Sequence, residues 1–421
     1  MKKISSILAA FTAFGTVSAA IADSVPTITF GGYQDAYWGY VSEANIFRHT
    51  NPTNISSERR RNNAIASETK LILRADGIRD SCGCGLKYGG LIALNADTSD
   101  DHYDDFFDAQ QTMVYFEGNF GRVEAGSYTG ASHALHVSPT QISRGHSGID
   151  GGGIDSDWWK WVNPMDGVNE SNIAFEFLLL PQLYTNNIAL LGIKSVNASK
   201  ITYYTPRYYG FQAGISYTPD IESFGTVSYA MHNVFKYNAT DGMTGASGGK
   251  YRDIFEGGIQ YAGEYRPFSF KVGLVGEIGN PKFDTALDKF RRMRAWEAGM
   301  AVGWRRWTIA SAYGNLGKTG TSAVFTPTGN NSKYWTVGVA YQRGPIGISA
   351  AYAVAHTVFD IFEYTFEWKS RAHTVSLGAD WRMADGIKLY ADAVHFSLKE
   401  VEVHEPGNRG TVLRVGFLLN F

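Results

Sequence analysis

Apolar and polar residues alternate along most of this chain with the period of two expected of strands. The last thirteen residues show the pattern: Thr411, Leu413, Val415, Phe417, Leu419 and Phe421 fall on one face. Val412, Arg414, Gly416, Leu418 and Asn420 fall on the other, which carries a charge and an amide. Further strands are predicted at 27–41, 64–75 and 86–96, the last two joined by a short turn rich in Gly and Asp. Hairpins follow at 109–118 with 121–128, 198–205 with 209–218, 252–265 with 268–279 and 293–304 with 307–315. Two more pair 333–342 with 346–356 and 371–382 with 386–398. With the first and last strands the count is sixteen, and tight turns alternate with longer polar loops throughout. A pairing of 172–180 with 187–194 would raise the count to eighteen.

The alternation of short turns and long loops predicts the fold class. A β-sandwich has no reason to gather its short turns at one end, whereas a transmembrane antiparallel up-and-down β-barrel does. The expected lipid faces are Phe268/Phe270/Val272/Leu274, Trp296/Ala298/Met300/Val302/Trp304 and Trp335/Val337/Val339/Tyr341, with polar or small partners between them. An even-numbered barrel closes by pairing its last strand with its first, here 409–421 against 27–41.

Composition agrees. Aromatic residues reach 14% and charged residues only 19%, and Tyr and Trp gather at strand ends, as interfacial girdles require. A net charge of −2 argues against a nucleic-acid partner, and a mean hydropathy of −0.19 excludes a bundle of membrane helices. Lys2, Lys3 and the apolar run Ile4–Val17 read as a cleaved signal peptide, with small-x-small sites ending at Ala19 and Ala22. The barrel domain is therefore expected over 23–421. Cys82 and Cys84, one residue apart, are read as small residues of a tight turn, with a local redox pair or disulfide as the alternative.

Several motifs together resemble the general porins of the Gram-negative outer membrane over nearly the whole mature chain. They are Ile28-Thr-Phe-Gly-Gly-Tyr33, Phe120-Gly-Arg-Val-Glu-Ala-Gly126, Ser199-Lys-Ile-Thr-Tyr-Tyr-Thr-Pro206 running into Tyr209–Tyr217, and the terminal Phe421. The resemblance implies a sixteen-stranded barrel passing small hydrophilic solutes and ions by passive diffusion, a homotrimer, and contacts with outer-membrane lipids and lipopolysaccharide. It also implies that Phe421 is an assembly signal recognised by the outer-membrane assembly machinery. No cofactor is implied.

One loop is out of scale. Residues 129–198 follow the fifth strand, and in the resembled family the loop at this place folds inward and narrows the channel. Its Asp150, Asp155 and Asp157 are candidates for a negative edge, and Trp158, Trp159 and Trp161 for an apolar anchor on the wall. Facing them, alternation places Lys70, Arg74, Arg122, Lys388 and Arg414 toward the lumen, with Arg382 near a turn. A transverse field between these cations and the aspartates would orient passing solutes.

Two polar loops stay open to more than one reading. Glu58-Arg-Arg-Arg61 contacts anionic headgroups, leans into the pore mouth or faces water. The acidic run Asp97–Asp108 is dense enough to hold a structural divalent cation but lacks the glycine and closing glutamate of an EF-hand. It is also short, which leaves open the trimer latch made by the equivalent loop in the family. Two other function classes compete with the channel. A barrel hydrolase lacks a Gly-x-Ser-x-Gly elbow or a His-Glu-x-x-His helix, and the paired His133 and His136 are the nearest approach to one. A barrel adhesin would use its long loops, 219–251 above all.

Overall fold

The computed structural model describes residues 25–48, 61–79, 85–96, 108–146, 148–149, 158–162, 180–187, 196–221, 223, 251–282, 290–321, 323, 331–360, 367–400 and 407–421. The strands are β1 (Thr27–Ser42), β2 (Asn63–Arg79), β3 (Leu86–Asn95), β4 (Asp108–Gly118), β5 (Gly121–Ser127), β6 (Ser199–Tyr204), β7 (Phe211–Asp220) and β8 (Tyr251–Tyr265). The second half holds β9 (Phe268–Pro281), β10 (Met293–Trp304), β11 (Trp307–Gly317), β12 (Ser332–Arg343), β13 (Ile346–Asp360), β14 (Glu367–Ala384), β15 (Ile387–Glu400) and β16 (Asn408–Asn420).

Each strand pairs with its neighbours in sequence, and β1 pairs antiparallel with β16, so all sixteen form one closed barrel. At the seam Tyr33 faces Asn420 and Ser42 faces Thr411. The last residue extends the ladder: Gly32 N–H donates to the Phe421 carbonyl at 3.0 Å and Phe421 N–H to the Gly32 carbonyl at 3.2 Å. Closure leaves no sheet edge, the condition for strands in a medium that cannot hydrogen-bond.

β5 pairs directly with β6, from Arg122 opposite Tyr204 to Ser127 opposite Ser199. An extra hairpin between them would have to break this ladder, so the count is sixteen and not eighteen. Leu180 and Asn187, at the edges of that predicted hairpin, lie outside strands. β13 and β14 run further than the residue pattern suggests, staying paired as far as Asp360 opposite Glu367. Alternation fades there, but a ladder already in register continues at little entropic cost.

Side chains divide by parity as expected. Phe268, Phe270, Val272 and Leu274 are exposed on the outer face, as are Trp296, Met300 and Trp304. Inward positions on these and neighbouring strands, such as Glu277, Glu297 and Thr336, are almost wholly buried. On β16, Leu413, Val415, Phe417 and Leu419 point out while Val412, Arg414 and Gly416 point in. An interior this full requires something other than strands within it.

Candidate functional site

The filling is the segment after β5. The short helix α1 (Ala131–Leu135) lies against β6 to β9, and a 3-10 turn, Pro139–Ile142, lies against β11 and β12. Residues 130–146 thus form a strap along the inner wall from β6 round to β15 and β1. The strands make room with inward-facing glycines. A Cβ at Gly273 or Gly299 would run into Leu135 or Val137, at Gly338 into Pro139, and at Gly378 into Arg144. The strap occupies the volume that side chains would otherwise fill.

Buried carboxylates tie it down. Glu256 and Glu277 stand opposite each other on β8 and β9, with Glu297 on β10. Glu256 accepts from the Ser132 hydroxyl of α1 and, at 3.2 Å, from Thr185. Glu277 accepts the backbone N–H groups of Tyr184 at 2.8 Å and Thr185 at 3.0 Å, and the Thr185 hydroxyl at 2.6 Å. Glu297 accepts from Tyr334 and lies 3.5 Å from His136 Nδ1. Lys200, 3.9 Å from Glu256, donates to the carbonyls of Tyr128 at 2.7 Å and Val196 at 3.0 Å, closing the base of the loop. Paired acids at this depth persist because each is supplied with donors.

At the far end His146 Nδ1 lies 3.0 Å from Asp35 on β1, and its ring stacks on Tyr390 at 4.9 Å. Tyr390 donates to both Asp35 oxygens, at 2.9 and 3.1 Å. Burial holds the His146 imidazole below its ordinary range, against the opposing pull of Asp35. His133 is pushed down to about 3, first by burial and then by the nearby His136 and Lys200.

The loop then returns in a second layer. Trp158 is fully buried against Phe396, with centroids 5.5 Å apart, and its indole N–H donates to the Ile149 carbonyl at 3.3 Å. Trp161 packs beside Tyr37 at 6.1 Å and over Gly39. Leu180, Leu183 and Tyr184 complete an apolar cluster with Tyr251, Val275 and Tyr334 of the wall.

The predicted cations all come from the inner side of the wall but do not meet in one ring. Arg74 pairs with Asp76 at 2.7 Å, 5.9 Å from the centre of the Tyr115 ring. Arg122 binds Glu124 at 2.6 Å and Glu117 at 3.1 Å, over the same ring at 4.0 Å. Lys70 is buried on β2. Arg414 is 1% exposed and clamps Asp392 through two bonds, at 2.6 and 3.2 Å, so its charge is neutralised within the wall. Lys388 donates to the Gly145 carbonyl at 3.3 Å and stands opposite the exposed Arg382 across the β14–β15 pair. Asp150, Asp155 and Asp157 lie outside the described residues, as do Cys82, Cys84, residues 58–60 and residues 97–107 of the acidic loop.

The anchors Asp35, Glu256, Glu277 and Glu297 were missed in the sequence. Each is an acid at an inward position of its strand, flanked by apolar residues only in Trp296-Glu-Ala298 and by a glycine or glutamine on one side in the others, so the available signal was weak. That Glu256 stands opposite Glu277 depends on strand register.

The comparisons bear on the fold and the family. A family model described as Gram-negative porin matches residues 6–400. Uncharacterized proteins of Rickettsia conorii and Rickettsia prowazekii are 26% and 27% identical, each match covering 73% of this chain and 75% of the relative. Among solved structures, an anion-selective porin from Comamonas acidovorans has a TM-score of 0.50 at 18% identity, covering 94% of this chain and 100% of that one. A triple mutant of the Rhodopseudomonas blastica porin has a TM-score of 0.53 at 12% identity with the same coverage. With a closed sixteen-stranded barrel and a family match over nearly its whole length, the chain belongs to the Gram-negative porins, outer-membrane barrels that serve as channels for passive diffusion.

Proposed function

We propose that the protein is a water-filled channel for small hydrophilic solutes and ions, and that the wall-docked segment within 129–198 sets its bore. The observation that carries this reading is the strap itself. It is seated in a track of small residues and held by buried acids on β1, β8, β9 and β10. Such an element narrows a barrel by a fixed amount, which a freely moving loop does not. Residues Asp150, Asp155 and Asp157 belong to the same loop, and a role for them in selectivity is part of this reading. So is association into a homotrimer with lipid and lipopolysaccharide around its aromatic belt.

Planar-bilayer recording of the purified protein is the test. Steady conductance closing in three equal steps supports both the channel and the trimer, one closing step rejects the trimer, and no conductance rejects the channel. Liposome swelling with sugars of increasing size measures the bore. A cutoff unchanged after the strap is unseated would reject its role.

A further inference from the structure

Of the inward-facing cations, Arg74, Arg122 and Arg414 are matched to carboxylates. Along the edge of the strap nearer the short turns the balance differs. Lys388 Nζ has the Gly145 carbonyl as its acceptor, and Lys271 Nζ of β9 has the Gln141 amide oxygen at 3.2 Å. Both hydrogen-bond acceptors are neutral, so neither ammonium is paired directly with a carboxylate, and Lys388 feels Asp380 and Asp35 only from a distance. Arg382 faces Lys388 across the ladder, and like charges placed opposite repel.

The strap adds a third cation here. Arg144 is fixed by its backbone, whose N–H donates to Ser349 at 2.7 Å and whose carbonyl sits on Gly378. Its Nε is buried and has no hydrogen-bond partner among the described residues. A guanidinium N–H taken out of water without an acceptor is costly, and native structures rarely tolerate one. The carboxylate facing this group is Asp380, beside the Arg144 stem over Gly347. Asp35, the next acid, is engaged by Tyr390 and His146. Among the described residues, three cations therefore face Asp380, with Asp35 already engaged elsewhere.

We propose that Arg144, Arg382 and Lys388 form a subsite for oxyanions at the short-turn edge of the strap, making the channel prefer anions over cations. A phosphate, sulfate or carboxylate presents two adjacent acceptor oxygens, which the guanidinium fork of Arg144 matches with paired N–H groups and a lone chloride does not. Loop and wall here carry the same sign, so this subsite differs from the transverse field expected between basic wall and acidic loop. The inference rests on the diffusion-channel reading and adds its solute class.

The test is a reversal-potential measurement on the native protein in a potassium chloride gradient, followed by titration of inorganic phosphate or acetate from either side. An anion-selective potential is expected, with chloride current blocked by phosphate. At the separation of a solute passing these groups, each removed charge lowers the anion-to-cation permeability ratio about threefold. Arg144→Gln and Lys388→Gln should therefore each lower the ratio and weaken the block, whereas Lys388→Arg should keep both. A cation-selective or unselective native channel overturns the inference while leaving the channel intact. Selectivity without phosphate block overturns the subsite, and so does a native ratio retained in the double variant. Absence of any conductance overturns the diffusion-channel reading and this inference with it. Should either variant fail to insert, the native potential and block still decide.

Discussion

The seating of the strap can be tested at one atom. A Cβ added at Gly299 would lie 1.7 Å from the Val137 carbonyl oxygen and 2.8 Å from its carbon, with Ala312 Cβ at 3.3 Å on the other side. Ordinary contact begins near 3.5 Å, so Gly299→Ala forces the strap off the wall by about 1.8 Å at that point. Overpacking of this kind costs about 1–3 kcal/mol. The cost falls on the strap, because β10 is held on both sides by continuous ladders. The strap can yield only toward the lumen, so the unitary conductance should fall and the sugar cutoff tighten, with open-channel noise rising as the strap samples two positions. Gly303→Ala is the control: it is on the same strand, and its Cβ would meet only the side chains of Ser269 and Thr308, which can rotate away. Single-channel recording of both variants, each first checked for folded-barrel mobility on unheated gels, decides the matter. Native conductance and noise in Gly299→Ala would refute the claim that the strap is seated on this glycine.

Two further outcomes concern the loop and its anchors, and a third the barrel seam. Glu277→Gln replaces the carboxyl group that accepts three hydrogen bonds from Tyr184 and Thr185. It should loosen the 180–187 segment by about 1–3 kcal/mol, read as faster amide exchange there with β9 unaffected. Both strap histidines have pKa values depressed by burial, so docking favours their neutral forms. Their contribution is complete above about pH 6.5 and declines as pH falls, for His133 down toward about 3. At His146 the facing groups are Asp35 and Tyr37 of β1, Tyr390 and Asp392 of β15 and Arg414 of β16. Acidification to pH 5 should raise channel noise, less so in His146→Gln, and noise independent of pH would contradict this. Deleting Phe421 removes two seam hydrogen bonds with Gly32 and an aromatic contact with Phe30 at 6.3 Å. Assembled barrel should fall more than the conductance of the channels that do form, and normal assembly would reduce Phe421 to an ordinary lipid contact.

Much of the barrel was legible in the residues themselves. The outward set on β10, Trp296, Met300 and Trp304, announces a lipid-side face because a strand must alternate and a hydrocarbon surface tolerates no charge. The candidate site was legible only in part. Alternation sent Arg122 and Arg414 to the inner face and set Glu124 beside Arg122 on the same strand, yet the partners Glu117 and Asp392 emerge only when strands are paired. Arg144, on a loop without periodicity, gave no sign of its place over Gly347 beside Asp380.

What the linear chain determined by itself is what the period of two governs: the strand segments, their order, their faces, and closure of β16 on β1, whereas sixteen rather than eighteen was decided by the direct pairing of β5 with β6. Those properties are local, since each residue's side depends on its neighbours along the strand and the short turns permit only antiparallel pairing. The tertiary structure decided what lies inside. Whether Glu256 meets Glu277, whether Gly299 faces Val137, and which cations keep a free charge all depend on register between strands distant in sequence and on a loop that crosses them. Inward positions must suit the loop as well as water, and a glycine that makes room for a strap is written with the same letter as one that weakens a strand.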